Sequence, residues 1–91
     1  MKNLKEIEAI LVRVSVLLRL GGKDEWADRI DDYQMLLARD APNGISRIIR
    51  LYGGMGSIND IVLYRKGQPL IKENNELDQL LSRLHELCVN A

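Results

Sequence analysis

The sequence predicts a mainly helical α+β domain: a bundle of three to four helices, with a short β-hairpin between the third helix and the last. Two observations predict it. Apolar residues recur at spacings of three and four over most of the chain, as they do on the buried face of a helix. Near residue 61 that period gives way to a short run of β-branched and aromatic residues, which is typical of a strand. A length of 91 residues fits one domain, residues 1–91.

The first two helices are separated by a pair of glycines. The first is predicted over residues 3–20 and ends at Gly21-Gly22, because glycine readily takes the positive φ that stops a helix. Its apolar face comprises Leu4, Ile7, Leu11, Val14 and Leu18. The second is predicted to run from Asp24, as its N-cap, to about Arg39. Its inward face comprises Trp26, Ile30, Tyr33 and Leu37.

A short third helix follows Pro42, which cannot continue the second one. Asn43 is its predicted N-cap, and Gly53-Gly54 ends it. Its apolar face comprises Ile45, Ile48, Ile49 and Tyr52. These assignments place a glycine-rich loop directly between the third helix and the predicted hairpin.

The hairpin is predicted from two apolar runs, Ile61–Tyr64 and Leu70–Ile71, joined by a turn that contains a glycine. Pro69 confines the second strand to an edge, because proline has no N–H to donate. Asn74 or Asn75 is the predicted N-cap of the last helix. The apolar face of that helix comprises Leu77, Leu80, Leu81, Leu84, Leu87 and Cys88.

Composition excludes several classes of protein. The 13 basic and 13 acidic residues give a net charge of zero, so the strong basic field expected of a nucleic-acid binder is missing. No apolar run approaches the roughly 20 residues that span a bilayer, and we expect a cytoplasmic protein. Cys88 is the only cysteine, which rules out an internal disulfide and favours a buried thiol.

The sequence offers little to a catalytic site. His85 is the only histidine, and no metal-binding motif accompanies it, so a structural histidine is expected. Ser15, Ser46 and Ser82 lie inside predicted helices, and no base is placed near Ser57. We therefore expect no enzyme, no cofactor and no metal.

The densest charged group is acidic and lies in the second helix. Spacings of three and four place its members on adjoining faces: Glu25, Asp28, Asp31 and Asp32. The group can be a solvated face, a docking surface for a basic partner, or a divalent-cation site, although no EF-hand loop is present. The second interpretation makes these four the partner-binding residues.

A basic group occupies the middle of the chain, with Tyr52 and Tyr64 nearby in sequence. It comprises Arg47, Arg50, Arg65 and Lys66. Arginine beside an aromatic ring can stack on nucleotides. Four such charges in a neutral chain make nucleic acid an alternative partner rather than the expected one.

The glycine-rich loop spans residues 53–57. Three glycines in four residues allow backbone angles that other residues avoid. A phosphate cradle runs strand, glycines, helix, whereas here the predicted order is helix, glycines, strand. A structural joint is therefore favoured over an anion site. A third interpretation makes it a contact loop with Met55 and Ile58 as apolar anchors.

Residues 51–63, LYGGMGSINDIVL, resemble the signature segment of a family of small bacterial domains of unknown function, whose members share an LYGGMGS…ND pattern followed by a hydrophobic residue. The resemblance covers these thirteen residues, and the rest of the chain only by length and helical character. It implies no activity. It does imply an association, since small bacterial proteins of this kind are often encoded beside toxin genes and some resemble immunity proteins.

Three functional hypotheses follow. The first is an immunity-type inhibitor that binds a cognate toxin domain, such as a nuclease, through the acidic group. The second is a homodimeric adaptor that associates through the leucine-rich residues 77–88. The third is a nucleotide- or RNA-binding regulator that uses Arg47, Arg50, Tyr52 and the glycine-rich loop.

Overall fold

The computed structural model describes residues 2–53 and 56–91. Four helices dominate it: α1 (Leu4–Leu20), α2 (Asp24–Arg39), α3 (Ala41–Ile49) and α4 (Ile71–Val89). Between α3 and α4 come a 3₁₀ turn, Ile58–Asp60, and two short antiparallel strands, β1 (Tyr64–Arg65) and β2 (Gln68–Pro69). The predicted fold class, a helical bundle with a hairpin before the last helix, is confirmed.

The core is aliphatic and lies where the four helices meet. Helix α1 packs against both α2 and α4, and α3 contacts α2 and α4 from the other side. The buried apolar residues include most of the predicted stripes, among them Ile7, Leu11, Val14, Leu18, Ile30, Leu37, Ile48, Leu77, Leu84 and Leu87. Trp26 and Tyr33 are only half-buried and pack at the edge of the core. No helix in the described part of the chain is long and apolar enough to cross a membrane.

The predicted N-caps of α2 and α3 are wrong. Helix α2 begins at Asp24 itself, so this carboxylate lies in the first turn, where the helix dipole favours it, and Lys23 occupies the N-cap position. Helix α3 begins at Ala41, and the carboxylate of Asp40 accepts a hydrogen bond of 3.3 Å from the backbone N–H of Asn43. Pro42 lies in the first turn, where no helical hydrogen bond needs its missing N–H.

The hairpin is shorter than predicted. Tyr64 pairs with Pro69 and Arg65 with Gln68. Lys66 and Gly67 between them have φ angles of 53° and 76°, as a type I′ turn requires. Residues 61–63 are not in a strand, although the Leu70 N–H donates to the Leu63 carbonyl (2.9 Å). The side chain of Asn74 also binds this residue: Leu63 N–H donates to Asn74 Oδ1 (2.7 Å), and Asn74 Nδ2 donates to the Leu63 carbonyl (3.0 Å).

The last helix begins earlier than predicted. Its first residue is Ile71, after Leu70 at the N-cap position, so neither Asn74 nor Asn75 caps it and Ile71 is not in a strand. The apolar sequence around residue 70 favours a strand on propensity alone. The helix that starts at Ile71 places Asn74 in its first turn, where the Asn74 side chain binds the backbone of Leu63.

Two glycines allow close packing between elements. A Cβ on Gly44 would lie 2.8 Å from the Cα of Leu37, so α3 crosses the backbone of α2 at this residue. A Cβ on Gly21 would lie 2.6 Å from Cδ2 of the Leu63 side chain, which covers the end of α1. The joint between α1 and α2 therefore rests on the segment that precedes the hairpin.

Candidate functional site

The predicted partner-binding residues all lie on α2 and point away from the core. Glu25, Asp28 and Asp32 are exposed and Asp31 is half-buried. Asp24, at the start of the same helix, is also exposed. We call these five residues the acidic face. Their spacing keeps them opposite the buried Ala27, Ile30 and Leu37, as the sequence predicts.

Two members of the acidic face are held by α1. The Arg19 guanidinium donates to Asp28 Oδ1 (2.8 Å) and to Asp31 Oδ2 (2.7 Å). The Ser15 hydroxyl donates to Asp31 Oδ1 at 2.6 Å. The hydrogen bond from Ser15, together with Arg19, holds the pKa of the Asp31 carboxyl below its usual value. Asp28 and Asp31 therefore fasten α1 to α2.

Glu25 and Asp32 differ from them. Across residues 2–53 and 56–91, neither has an ion-pair partner, and both are exposed. Sequence reasoning groups the four acids correctly but cannot separate these two from the pair that Arg19 holds. Asp24 has no ion pair among the described residues either, so the exposed, unpaired charge that a partner can meet lies on Asp24, Glu25 and Asp32.

An apolar side chain accompanies these charges. Met35 is 65% exposed on α2. It lines a shallow groove between α1 and α2 together with Glu8, Asp31, Gln34 and Ala38. Methionine adapts its shape to many partners, so an exposed methionine beside acids is a usual component of a docking surface. In the described part of the chain, no three His, Cys, Asp or Glu side chains are grouped to hold a metal ion.

A second groove, of about 600 Å³, runs between α4 and the segment after α3. It is lined by Tyr52, Asn59, Asp78, Leu81, Ser82 and His85. The Tyr52 hydroxyl donates to the Leu81 carbonyl (2.7 Å), and the Tyr52 ring lies 4.7 Å from that of His85, centroid to centroid. Burial raises the pKa of Tyr52. Tyr52 thus anchors the end of α3 to α4.

The groove lacks the contacts of a nucleophilic site. Among the hydrogen bonds of the described residues, none joins Ser82 to His85. The Ser57 hydroxyl donates to the side chain of Asn59 (2.6 Å), a neighbour in its own turn. Cys88 is buried as expected, and burial raises the pKa of its thiol to about 11, so it stays protonated at neutral pH.

The basic group is divided between two elements. Arg47 and Arg50 are exposed at the end of α3, and Arg65 and Lys66 are exposed at the hairpin. Tyr52, the ring proposed to stack on nucleotides, is half-buried against His85 and α4. The exposed ring is that of Tyr64, on β1.

The contacts of the glycine-rich loop are those of a structural connection between α3 and the hairpin. Gly53 and Gly56 have φ angles of 85° and 73°, which only glycine adopts readily. The Ile58 N–H donates to the Leu51 carbonyl (2.9 Å), and the Ile58 side chain is fully buried. The alternative of Ile58 as a partner anchor is therefore wrong. Gly54 and Met55, the other predicted anchor, lie outside the described residues.

Sequence reasoning missed one surface feature. Val12, Val16 and Leu20 are exposed on α1, each four residues after the one before. The signal was present in the sequence, since this helix has apolar residues at more positions than one buried face can use.

No curated protein and no solved structure matches the chain. A family described as a domain of unknown function (DUF6966) matches residues 19–71, from the end of α1 through α2, α3, the glycine-rich loop and the hairpin to the start of α4. The match includes the acidic face and the segment 51–63. Because it covers more than half of the 91 residues, the chain belongs to this family of domains of unknown function.

Proposed function

We propose that the protein is a protein-binding module that recruits a basic partner through the acidic face of α2. The observation that carries the proposal is the exposure of Glu25 and Asp32 without an ion pair in the described residues, on the helix that also exposes Met35. Arg19 offsets only part of the charge, because it binds Asp28 and Asp31.

The acidic face is suited to guide encounter and select the partner. Two exposed unit charges 4 Å apart attract by about 1 kcal/mol in water. Such charges act over a Debye length of about 8 Å at physiological salt, so they raise the rate of association more than they slow dissociation. Met35 and its groove supply apolar surface that holds the partner after contact.

The specific form that we propose is an immunity-type inhibitor, acting in the cytoplasm on a cognate toxin domain. A toxic nuclease has a basic surface for nucleic acid, which an acidic helix complements. A small protein with exposed acids can block such a surface by covering it. The resemblance of residues 51–63 to small bacterial domains encoded beside toxins points the same way.

The test measures binding between this protein and the product of the gene adjacent to its own, at about 50 and 300 mM salt. The paired change Glu25→Lys with Asp32→Lys should slow association about ten-fold at low salt and flatten its salt dependence. Glu86→Lys is the control, because Glu86 is an exposed acid on α4 whose ion pair in the described part of the chain is with Arg83, away from α2. It should leave the association rate nearly unchanged.

Two outcomes would count against the proposal. Equal binding by the wild type and the paired variant, at both salt concentrations, would remove the acidic face from the interface. Absence of binding to a toxin-like neighbour, with no rescue of cells that express that toxin, would exclude the immunity form.

A further inference from the structure

The face of α1 that points away from the core is apolar between residues 9 and 20. Val12, Val16 and Leu20 are 48%, 50% and 40% exposed, and Ala9 continues the line toward the N-terminus. We call these four residues the outer stripe. The two sides of α1 are already covered by α2 and α4. On an ordinary surface helix, the line farthest from the core carries charged residues, and a helix that is apolar all round is a buried one.

The charged residues beside the outer stripe do not shield it. On one side, Arg19 reaches across to Asp28 and Asp31 on α2. On the other, Arg13 makes a two-point contact with Glu76 on α4, with N–O distances of 2.6 and 2.9 Å. Because both arginines are drawn sideways, their stems cannot lie along the valines as long cationic side chains often do.

We propose that the outer stripe is the interface of a homodimer in which the α1 helices of two copies pack antiparallel, about a two-fold axis near residue 14. Val12 of one protomer then meets Val16 of its partner, and Ala9 lies near Leu20. A two-fold interface is self-complementary, so each contact occurs twice.

The charges that border the outer stripe select a second copy as the occupant. Glu8 and Arg19 both lie on the side toward α2, since Glu8 lines the α1–α2 groove and Arg19 binds Asp28 and Asp31. They lie six residues before and five residues after residue 14. An antiparallel pair therefore places Glu8 of one protomer beside Arg19 of its partner. The bonds of Arg19 to Asp28 and Asp31 both use Nη2, which leaves Nε and Nη1 as donors for this contact. A parallel pair would instead place Glu8 near Glu6 of the partner, which Arg83 already neutralises, so that arrangement gains no contact between opposite charges.

The charges on the side of α1 toward α4 are compatible with this arrangement. Arg13 lies near the proposed axis, where two copies of it would approach each other. Each is already neutralised by Glu76, so the approach joins two ion pairs rather than two bare cations.

This location differs from the homodimer predicted on residues 77–88. The structure buries Leu77, Leu81, Leu84 and Leu87 in the core of the monomer, so α4 has no surplus apolar stripe to offer there. The outer stripe spans about 17 Å at 1.5 Å per residue. One helix face of this length buries less than the roughly 800 Å² per partner found in stable complexes. The dimer should therefore be weak and concentration-dependent.

The first test is the sedimentation of the purified protein from about 5 µM to 1 mM, a range that covers weak association. The wild type should shift from monomer to dimer within it. The paired change Val12→Glu with Val16→Glu should leave only monomer, whereas Val89→Glu should not, although Val89 is exposed to a similar degree, 56%, on α4. Circular dichroism shows whether each variant is folded, and the milder pair Val12→Gln with Val16→Gln replaces the first if it is not.

The second test uses the paired charges. Glu8→Lys alone and Arg19→Glu alone should each weaken the dimer about ten-fold, because each homodimer then holds two like-charge contacts. A mixture of the two variants should form mixed dimers preferentially, since these hold one native contact and one contact of swapped sign. A wild type that stays monomeric at 1 mM, a dimer indifferent to the valine changes, or a mixture with no preference for mixed dimers would each overturn the proposal. The valine changes leave the acidic face of α2 untouched, so the first test is independent of the proposed function. Arg19→Glu also removes the partner of Asp28 and Asp31, so the folding of this variant is checked by circular dichroism as well.

Discussion

At the scale of single residues, the contacts of Asp31 show how a charged group is made structural. Its carboxylate accepts hydrogen bonds from Ser15 and Arg19, both on α1, and its pKa is lowered as a result. A carboxyl whose pKa is lower in the folded state stabilises the fold at pH values above its unfolded pKa, about 4. This contribution is lost as the pH falls through the folded pKa.

Ser15→Ala tests this contact. The change removes the 2.6 Å hydrogen bond, so the free energy of unfolding at pH 7 should fall by about 1–2 kcal/mol. The loss should shrink as the pH falls below the unfolded-state pKa of about 4 and then through the lower pKa of Asp31 in the folded protein. Urea unfolding at pH 7 and pH 3 measures both values. Ser82→Ala, on the exposed face of α4, is the control, and an equal loss at the two pH values would contradict the assignment.

At the scale of elements, the sequence predicts the buried faces of the helices better than it predicts where each helix begins and ends. The stripes of α1 and α4 are found because burial imposes a helical period on apolar residues. The start of α3 is missed because Pro42 can stop one helix or occupy the first turn of another. Asn74 is missed because its function is tertiary: its amide pairs with the backbone of Leu63, which no local pattern reveals.

The Asn74 contact predicts a local effect on the segment before the hairpin. Asn74→Leu should lower the free energy of unfolding by about 1–3 kcal/mol, because both backbone groups of Leu63 lose the side-chain partner. Hydrogen exchange at the Leu63 amide should accelerate more than at amides in the middle of α1. Asn75→Leu is the matched control, since Asn75 is exposed on the same turn. Unchanged protection of Leu63 would show that the contact is not formed in solution.

The acidic face was predictable only in part. Helical spacing places all four predicted acids on α2, and the structure agrees. The partners of Asp28 and Asp31 come from α1, 9 to 16 residues earlier in the chain, and depend on how the two helices cross. Spacing within one helix contains no information about that crossing.

At the scale of the whole molecule, the positions of the helices depend on a few close approaches. Alanine is favoured over glycine in a helix by up to about 1 kcal/mol. We nevertheless expect Gly44→Ala to lower the free energy of unfolding by about 1–3 kcal/mol, because the new methyl group meets the backbone of Leu37. Ser46→Ala, two residues along α3 and half-buried, provides the contrast and should be neutral or stabilising. Thermal unfolding shows whether each variant is stabilised or destabilised, and a stabilised Gly44→Ala would refute the close approach.

The ion pair between Glu6 and Arg83 also has a consequence for how the chain is made. These residues are 77 positions apart, yet their side chains meet at 2.9 Å because α1 and α4 lie side by side. During synthesis, α1 leaves the ribosome long before α4 exists, so the side of α1 that α4 will cover stays exposed to water. Helix α2 can pack onto α1, and α3 onto α2, in that interval. Closure of the core then waits for the last helix, and a nascent chain stalled before α4 should be a substrate for chaperones that bind exposed leucine and isoleucine.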